Sequence, residues 1–333
     1  MRIIVDVMGG DYAPEAVIEG ALQAVKEFKL NVVLVGEESK IKNILDRSAP
    51  SERISIYPAQ EVIQMSEPAA LSIRKKKNSS IVKGLELLRD GYGDAFFSAG
   101  NTGAVVCASS VILGNLKGVE RPGIAIPIPT LKGVSLIIDV GANIDPKPTH
   151  LLQYALMADA YFKSVLNKNS PTIGLLNIGE EETKGPDFMR QTHQLISESS
   201  LGLNFIGNIE GKDIFLGKCD IIICDGFVGN VALKISESML EFGYNLFKDA
   251  VKSNPLGLLG LALMNLGVSK KIRKKIDYSE YGGAPLLGIN GVVIIGHGRS
   301  NSKAIKNALG VAKQQVELKV NEKILGALRF DSR

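Results

Sequence analysis

Six times along the chain, an apolar run of strand length ends in a short polar cassette rich in Gly, Asn and acidic residues. The cassettes are Val5–Asp11, Phe96–Ala104, Leu136–Asn143, Gly174–Gly185, Phe205–Asp213 and Ile221–Asn230. Ile3–Val7, Val32–Val35, Ile54–Tyr57, Ala95–Phe97, Thr172–Leu176, Asn204–Ile206, Ile221–Cys224 and Val292–Ile295 read as strands. Ile124–Ile128 and Val134–Asp139 read as a strand pair joined through Pro129–Gly133. Helical stretches lie between them at Pro14–Phe28, Ser39–Asp46, Ile81–Asp90, Gly103–Gly114, Pro148–Ser164 and Asp187–Ser199. A long helix runs from Gly229 to about Lys252. The alternation predicts an α/β fold, a mostly parallel sheet with helices on both faces. Ligands of such sheets bind at the carboxyl ends of the strands. Glycines there let backbone N–H groups approach an anion. The pattern therefore predicts one crevice built for a small anion.

One segment breaks the rhythm. Asn254–Ser269 is almost wholly apolar, and Lys270, Lys271, Arg273, Lys274 and Lys275 follow it. Twelve helical residues span about 18 Å, too short to cross hydrocarbon. The segment reads as a dimerisation or core helix, or as a tip that enters a membrane surface shallowly. Both hold together if paired helices of a dimer expose the tip. Each inserted leucine contributes about 2 kcal/mol, and each basic residue near anionic lipid about 1 kcal/mol.

With 333 residues, 45% of them hydrophobic, the chain has enough apolar mass for one large core. It reads as a single α/β domain over 1–333, with a protruding helical segment at about 235–280. Cys107, Cys219 and Cys224 lie in or beside apolar runs with no CxxC, which predicts buried thiols in a reducing cytosol. No secretory pattern precedes the first strand and no apolar run reaches about 20 residues, so a cytoplasmic location is expected. The net charge of +4 comes without interleaved aromatics, which disfavours nucleic acid.

The chain has no Walker A loop, and no GxGxxG follows a strand. Ser98–Gly103 is either a plain strand-to-helix turn or a phosphate cradle. Asn177–Gly185 holds three successive acids and reads as a solvated loop or as a crevice loop. In the second case Lys184 offers charge to a phosphate or oxyanion and Glu182 orients it. Asn230 can donate to an oxyanion, and Asp225 can position a partner. His150, His193 and His297 lack metal-ligand spacing, so no metal site is expected. His193 reads as a surface residue, and His297 as an edge of the crevice. Arg74–Lys77 is a solvated patch or a dock for an acidic partner.

Nine motifs, in order, carry a resemblance: VDVMGGDYAP (5–14), RKKKNSS (74–80), SAGNTGA (98–104), DVGAN (139–143), NIGEEETKG (177–185), GNIEGKD (207–213), DGFVGNVALK (225–234), YGGAPLLG (281–288) and GHG (296–298). Together they resemble the PlsX family of bacterial phosphate acyltransferases. The resemblance implies a fold like the phosphotransacetylases and the isocitrate/isopropylmalate dehydrogenases. It implies transfer of a fatty acyl group from acyl carrier protein to orthophosphate, for phospholipid synthesis and without a cofactor. It also implies a homodimer that works beside the cell membrane and hands acyl phosphate to a membrane glycerol-3-phosphate acyltransferase. Within it, phosphate binding is expected at Gly10, Ser98, Asn101 and Thr102. Charge and oxyanion stabilisation is expected at Lys184 and Asn230, oriented by Glu182 and Asp225. Carrier-protein contacts are expected at Arg74, Lys75, Lys76, Lys271 and Arg273, and membrane contacts at Leu256, Leu258, Leu259, Leu261 and Leu263. The rivals are a phosphotransacetylase acting on short acyl-CoA, a decarboxylating dehydrogenase, and a scaffold that binds carrier protein without turnover.

Overall fold

A computed structural model of the chain describes residues 1–47, 51–252 and 282–328. Its N-terminal half alternates strand and helix: β1 (Arg2–Asp6), α1 (Glu15–Phe28), β2 (Asn31–Gly36), α2 (Glu38–Leu45), β3 (Ile54–Pro58), α3 (Ala69–Lys75), α4 (Ser80–Arg89), β4 (Ala95–Ser98) and α5 (Thr102–Ile112). β5 (Gly123–Thr130) and β6 (Gly133–Ile138) form a hairpin. Then come α6 (Pro148–Val165), β7 (Thr172–Leu176), α7 (Asp187–Ser197), β8 (Asn204–Ile209), α8 (Asp213–Leu216), β9 (Ile221–Ile223) and α9 (Gly226–Lys252). β10 (Ala284–Leu287), β11 (Val292–Ile295), α10 (Ser302–Glu317) and α11 (Val320–Leu328) follow.

Among the described residues, eleven strands join one sheet in the order β3-β2-β1-β4-β11-β10-β5-β6-β9-β7-β8. The period-2 alternation of the strands divides the core. In β1, Ile3 and Val5 pack beneath α1 and α10, while Ile4 faces α4 and α5. In β6, Leu136 and Ile138 pack beneath α6 and α11, while Ile137 joins the cluster that holds Ile4. One apolar layer thus runs along a common face of the whole sheet, and a separate layer backs each half.

The sheet is parallel in its two flanks and antiparallel in its middle. Three antiparallel pairings, β11 with β10, β10 with β5 and β5 with β6, lie side by side. An odd number of reversals makes the flanks run in opposite directions. Their carboxyl ends therefore form two rims: one at β1, β4 and β11, the other at β6, β9 and β7. The simple alternation in the sequence predicts a single rim; β10 is the strand it misses, and α3, α8, α10 and α11 are helices it misses.

His193 differs from its expected surface position. It is buried on α7, with its ring edge against Phe205 at 5.2 Å. The leucines at 256, 258, 259, 261 and 263, together with Lys271 and Arg273, lie outside the described residues.

Candidate active site

The first rim is laced together around a buried carboxylate. Asp6 ends β1 and is fully buried. It accepts hydrogen bonds from the Ser98 hydroxyl at 2.7 Å and the Met8 N–H at 3.0 Å. The Ser98 oxygen accepts in turn from the Gly100 N–H at 3.0 Å. Burial pushes the Asp6 carboxyl above its ordinary value, against hydrogen bonds from Ser80, Ser98, Met8 and Gly9. A Cβ on Gly9 would stand 2.5 Å from the Gly100 nitrogen, so glycine is required for the two loops to touch. The Asp11 N–H donates to the Gly298 carbonyl at 2.8 Å, which ties the loop after β1 to the loop after β11.

Asn101 caps α5. Its carbonyl oxygen accepts from the Ala104 N–H at 3.0 Å, and its amide donates to the carbonyls of Gln64, Met65 and Glu67 at 3.0–3.2 Å. Ser98 and Asn101, expected as phosphate ligands, thus spend their side chains on the loop itself. Gly10 (φ 107°) supplies backbone there. Of the expected phosphate set, Thr102 lines the open space, at the N-terminus of α5 where unpaired N–H groups favour an anion.

The second rim repeats the device. Asp139, fully buried after β6, accepts from the N–H groups of Ile124, Gly141, Ala142 and Asn143 at 2.7–3.1 Å. Burial raises its pKa against those four donors. The Asn143 amide donates to the Pro122 carbonyl at 2.6 Å and meets the Tyr154 hydroxyl at 2.7 Å. α9 starts hard against this loop, and a Cβ on Gly229 would collide with the Asp139 carbonyl. Asp225 accepts from the Val228 N–H at 2.9 Å and so fixes the first turn of α9. Asn230 then stands exposed beside Gly141.

Lys184 sits apart on an exposed loop of the same rim. Its stem covers Gly179, and its ammonium lies 3.7 Å from Glu181. Glu181, not the expected Glu182, is the acid beside it; Glu182 is exposed. Asn177 clips the loop by donating to the Lys184 carbonyl at 3.1 Å, and Lys218 anchors it through Glu180 at 2.8 Å and Asp213 at 3.2 Å. In the basic patch, Arg74 and Lys75 are exposed. Lys76 is engaged by Glu67 at 2.5 Å and the Val62 carbonyl at 2.7 Å.

Between the rims, under α9, lies a groove of about 450 Å³, within the range of small-ligand sites, roughly 300–1,000 Å³. Ile126, Ile128, Ile137, Ile214, Leu233 and Leu240 give it apolar walls. Polar groups stand at its ends: Gly141 and Asn230 on the side of the second rim, Thr102, Lys234, Glu237 and His297 on the side of the first. Lys184 and Glu182 are not among its lining residues. Lys234 and Glu237 carry a signal that sequence reasoning missed. They follow Asn230 at i+4 and i+7, so α9 turns all three to one side.

The described residues thus form an α/β sheet with buried-carboxylate loops at both rims and an apolar groove between them. A family model described as "Fatty acid synthesis protein" matches residues 1–323. The phosphate acyltransferase of Dictyoglomus turgidum is 49% identical over 98% of each chain. That of Desulfitobacterium hafniense is 48% identical over 95% of this chain and 94% of its own. Among solved structures, a phosphotransacetylase from Streptococcus pyogenes has a similar fold, with a TM-score of 0.62 at 17% identity over 95% of this chain and 94% of its own. The chain belongs to the PlsX family of phosphate acyltransferases and is an acyltransferase.

Proposed function

We propose that the protein transfers a long-chain fatty acyl group from acyl-acyl carrier protein to orthophosphate, releasing acyl phosphate for phosphatidic acid synthesis. The observation that carries this reading is the groove, which is apolar along its walls and polar at both ends. A fatty acyl thioester has that pattern: a chain to bury, a reacting carbonyl and an anionic partner. Each methylene buried contributes about 0.8 kcal/mol, so the walls favour a long chain over acetyl.

Phosphate is itself the nucleophile, so an acyl-enzyme is unnecessary. The protein's task is to hold phosphate against the carbonyl and to stabilise the oxyanion. In this reading the α5 N-terminus at Thr102 receives phosphate, on a loop shaped by Gly10, Ser98 and Asn101. Asn230 donates to the oxyanion, from a helix start set by Asp225. Lys184 adds positive charge from the neighbouring loop, with Glu181 beside it and Glu182 on the same exposed stretch. Arg74 and Lys75 offer exposed charge to the acidic carrier protein. Lys76, Lys271 and Arg273 complete the proposed carrier contacts. The protein works as a homodimer whose 256–263 leucines touch the cytoplasmic face of the membrane, passing product to a membrane glycerol-3-phosphate acyltransferase. No helix among the described residues is long and apolar enough to cross a membrane.

The test is the release of free carrier-protein thiol from palmitoyl-acyl carrier protein, followed with and without phosphate. Phosphate-dependent release, with little from acetyl-CoA, is expected. Preference for acetyl-CoA would instead make the protein a short-chain phosphotransacetylase.

A further inference from the structure

The groove has a third direction, away from the polar groups at both rims. It follows β5, where Ile124, Ile126 and Ile128 share one face of the strand and line it. The row starts at the second rim: the Ile124 N–H donates to Asp139 at 3.0 Å, and the Val140 N–H donates to the Ile124 carbonyl at 3.1 Å. Asn230 stands beside Gly141 at that end. Four residues of strand carry the row about 14 Å to Ile128. Leu233 and Leu240 line the groove from α9.

β5 outruns its neighbour. Leu286 pairs with Ile124 and Leu287 with Gly123, so Ala284, where β10 starts, falls opposite Ile126. Beyond that point β6 alone flanks β5 among the described residues. Pro127 and Pro129 fit such an edge, because neither has an N–H to leave unpaired. α8 packs against β5. The Leu131 N–H donates to the Phe215 carbonyl at 2.9 Å, and Gly217 (φ 67°) turns the chain against Thr130. Asp213 secures the start of α8 by accepting from the Glu210 N–H at 3.0 Å and pairing with Lys218 at 3.2 Å. Ile128, Pro129, Ile214 and Phe215 line this end of the groove. Ile214 is buried in the same apolar cluster as Ile124, Ile128 and Ile137, whereas Phe215 is 41% exposed. The charged lining residues among those described, Lys234 and Glu237, stand beside His297 on the side of the first rim.

Resting on the acyl-transfer reading above, we propose that the acyl tail lies along β5 and ends against α8, so that Ile214 and Phe215 set the acyl-chain length. With the reacting carbonyl at Asn230 and phosphate entering from the first rim, the direction left for the tail is the one with apolar lining. A methylene gains from burial as long as it stays over the row of isoleucines. Past Ile128 it meets α8, which is pinned to the β5–β6 hairpin, and further methylenes find no space. Leu240 marks the rival exit, along α9.

The experiment measures kcat/KM for decanoyl-, palmitoyl- and stearoyl-acyl carrier protein at saturating phosphate, in the wild type, Ile214→Trp, Phe215→Ala and Leu240→Trp. Ratios between donors are compared, so a partly folded preparation does not distort them. In Ile214→Trp the palmitoyl-to-decanoyl ratio falls by about fifteen-fold, the effect of two displaced methylenes. In Phe215→Ala, at a partly exposed position, the stearoyl-to-palmitoyl ratio rises by about four-fold or more, the effect of one further methylene seated. This second variant carries the test if Ile214→Trp does not fold. Ratios within twofold of wild type in both variants overturn the assignment. A shift confined to Leu240→Trp overturns it also and routes the tail along α9. The acyl-transfer reading survives either result. A wild type that releases no thiol from any of these donors overturns that reading itself.

Discussion

At the scale of the residue, each rim is built from one buried carboxylate, and the groups around the groove divide into builders and workers. Asp6, Ser98, Asn101 and Asp139 build the loops. Thr102 and Asn230 face the groove. Asn230→Ala is expected to lower kcat by about 10²–10³ at unchanged melting temperature, the loss typical of one oxyanion donor. Lys184→Ala should do the same if its loop reaches the reacting carbonyl when substrate binds. Turnover within threefold of wild type for either variant would remove that residue from the chemistry. Asp6 makes a pH prediction. Burial raises its folded pKa above 3.8, so between those values the unfolded chain binds fewer protons and stability falls as pH rises. The contribution is fully present below the unfolded value. Urea unfolding of wild type and Asp6→Asn should therefore show the wild-type advantage shrinking as pH rises above the ordinary carboxylate value of about 4. A constant advantage would mean that the carboxyl titrates normally.

The residue types at the site were legible in the sequence, because Gly, Asn, Ser and Thr gather at strand ends for reasons local to the chain. Their engagement was not. Ser98 meets Asp6 across 92 positions, and Asn101 meets Gln64–Glu67 across 34 to 37. Such partners are set by the packing of the sheet, not by spacing. Lys234 was hidden for the same reason: its neighbour His297 is 63 positions away.

At the scale of the element, α9 joins the two rims. Its start is fixed by a missing side chain, since a Cβ on Gly229 would collide with Asp139. Gly229→Ala should destabilise the protein by about 1–3 kcal/mol, as overpacking commonly does, and reduce turnover as α9 is pushed from the second rim. Thermal unfolding and a rate assay on the same sample read both effects. A melting temperature equal to wild type would mean that the helix start adjusts freely. Leu233 tests the groove. Leu233→Trp should shift preference toward shorter acyl donors. Losing two buried methylenes costs about 1.6 kcal/mol, roughly fifteen-fold in kcat/KM for palmitoyl against a shorter donor. An unaltered chain-length profile would place the acyl chain elsewhere. Most helices and strands were legible from period and boundary residues. β10 was not, because Ala284–Leu287 is four residues long, contains a proline and has no room for a period.

At the scale of the whole molecule, one sheet of eleven strands carries two opposed parallel flanks and brings both rims to a single groove. The alternation of strand and helix announced the α/β class. The reversal of one flank required the central antiparallel strands, whose pairing partners lie far apart in the chain. The apolar segment of residues 254–269 belongs to this scale also. Leu258→Glu combined with Leu261→Glu should abolish pelleting with anionic liposomes and spare activity on soluble substrate, whereas loss of the dimer instead would make the segment an interface.

The central claim is that this groove passes a long acyl chain from a carrier-protein thioester to phosphate. It is tested most directly by incubating the purified protein with palmitoyl-acyl carrier protein and phosphate, then trapping acyl phosphate with hydroxylamine. Palmitoyl hydroxamate that forms only when phosphate is present, and not from acetyl-CoA, is the predicted result. Carrier protein bound without any hydroxamate would contradict the claim and leave a scaffold.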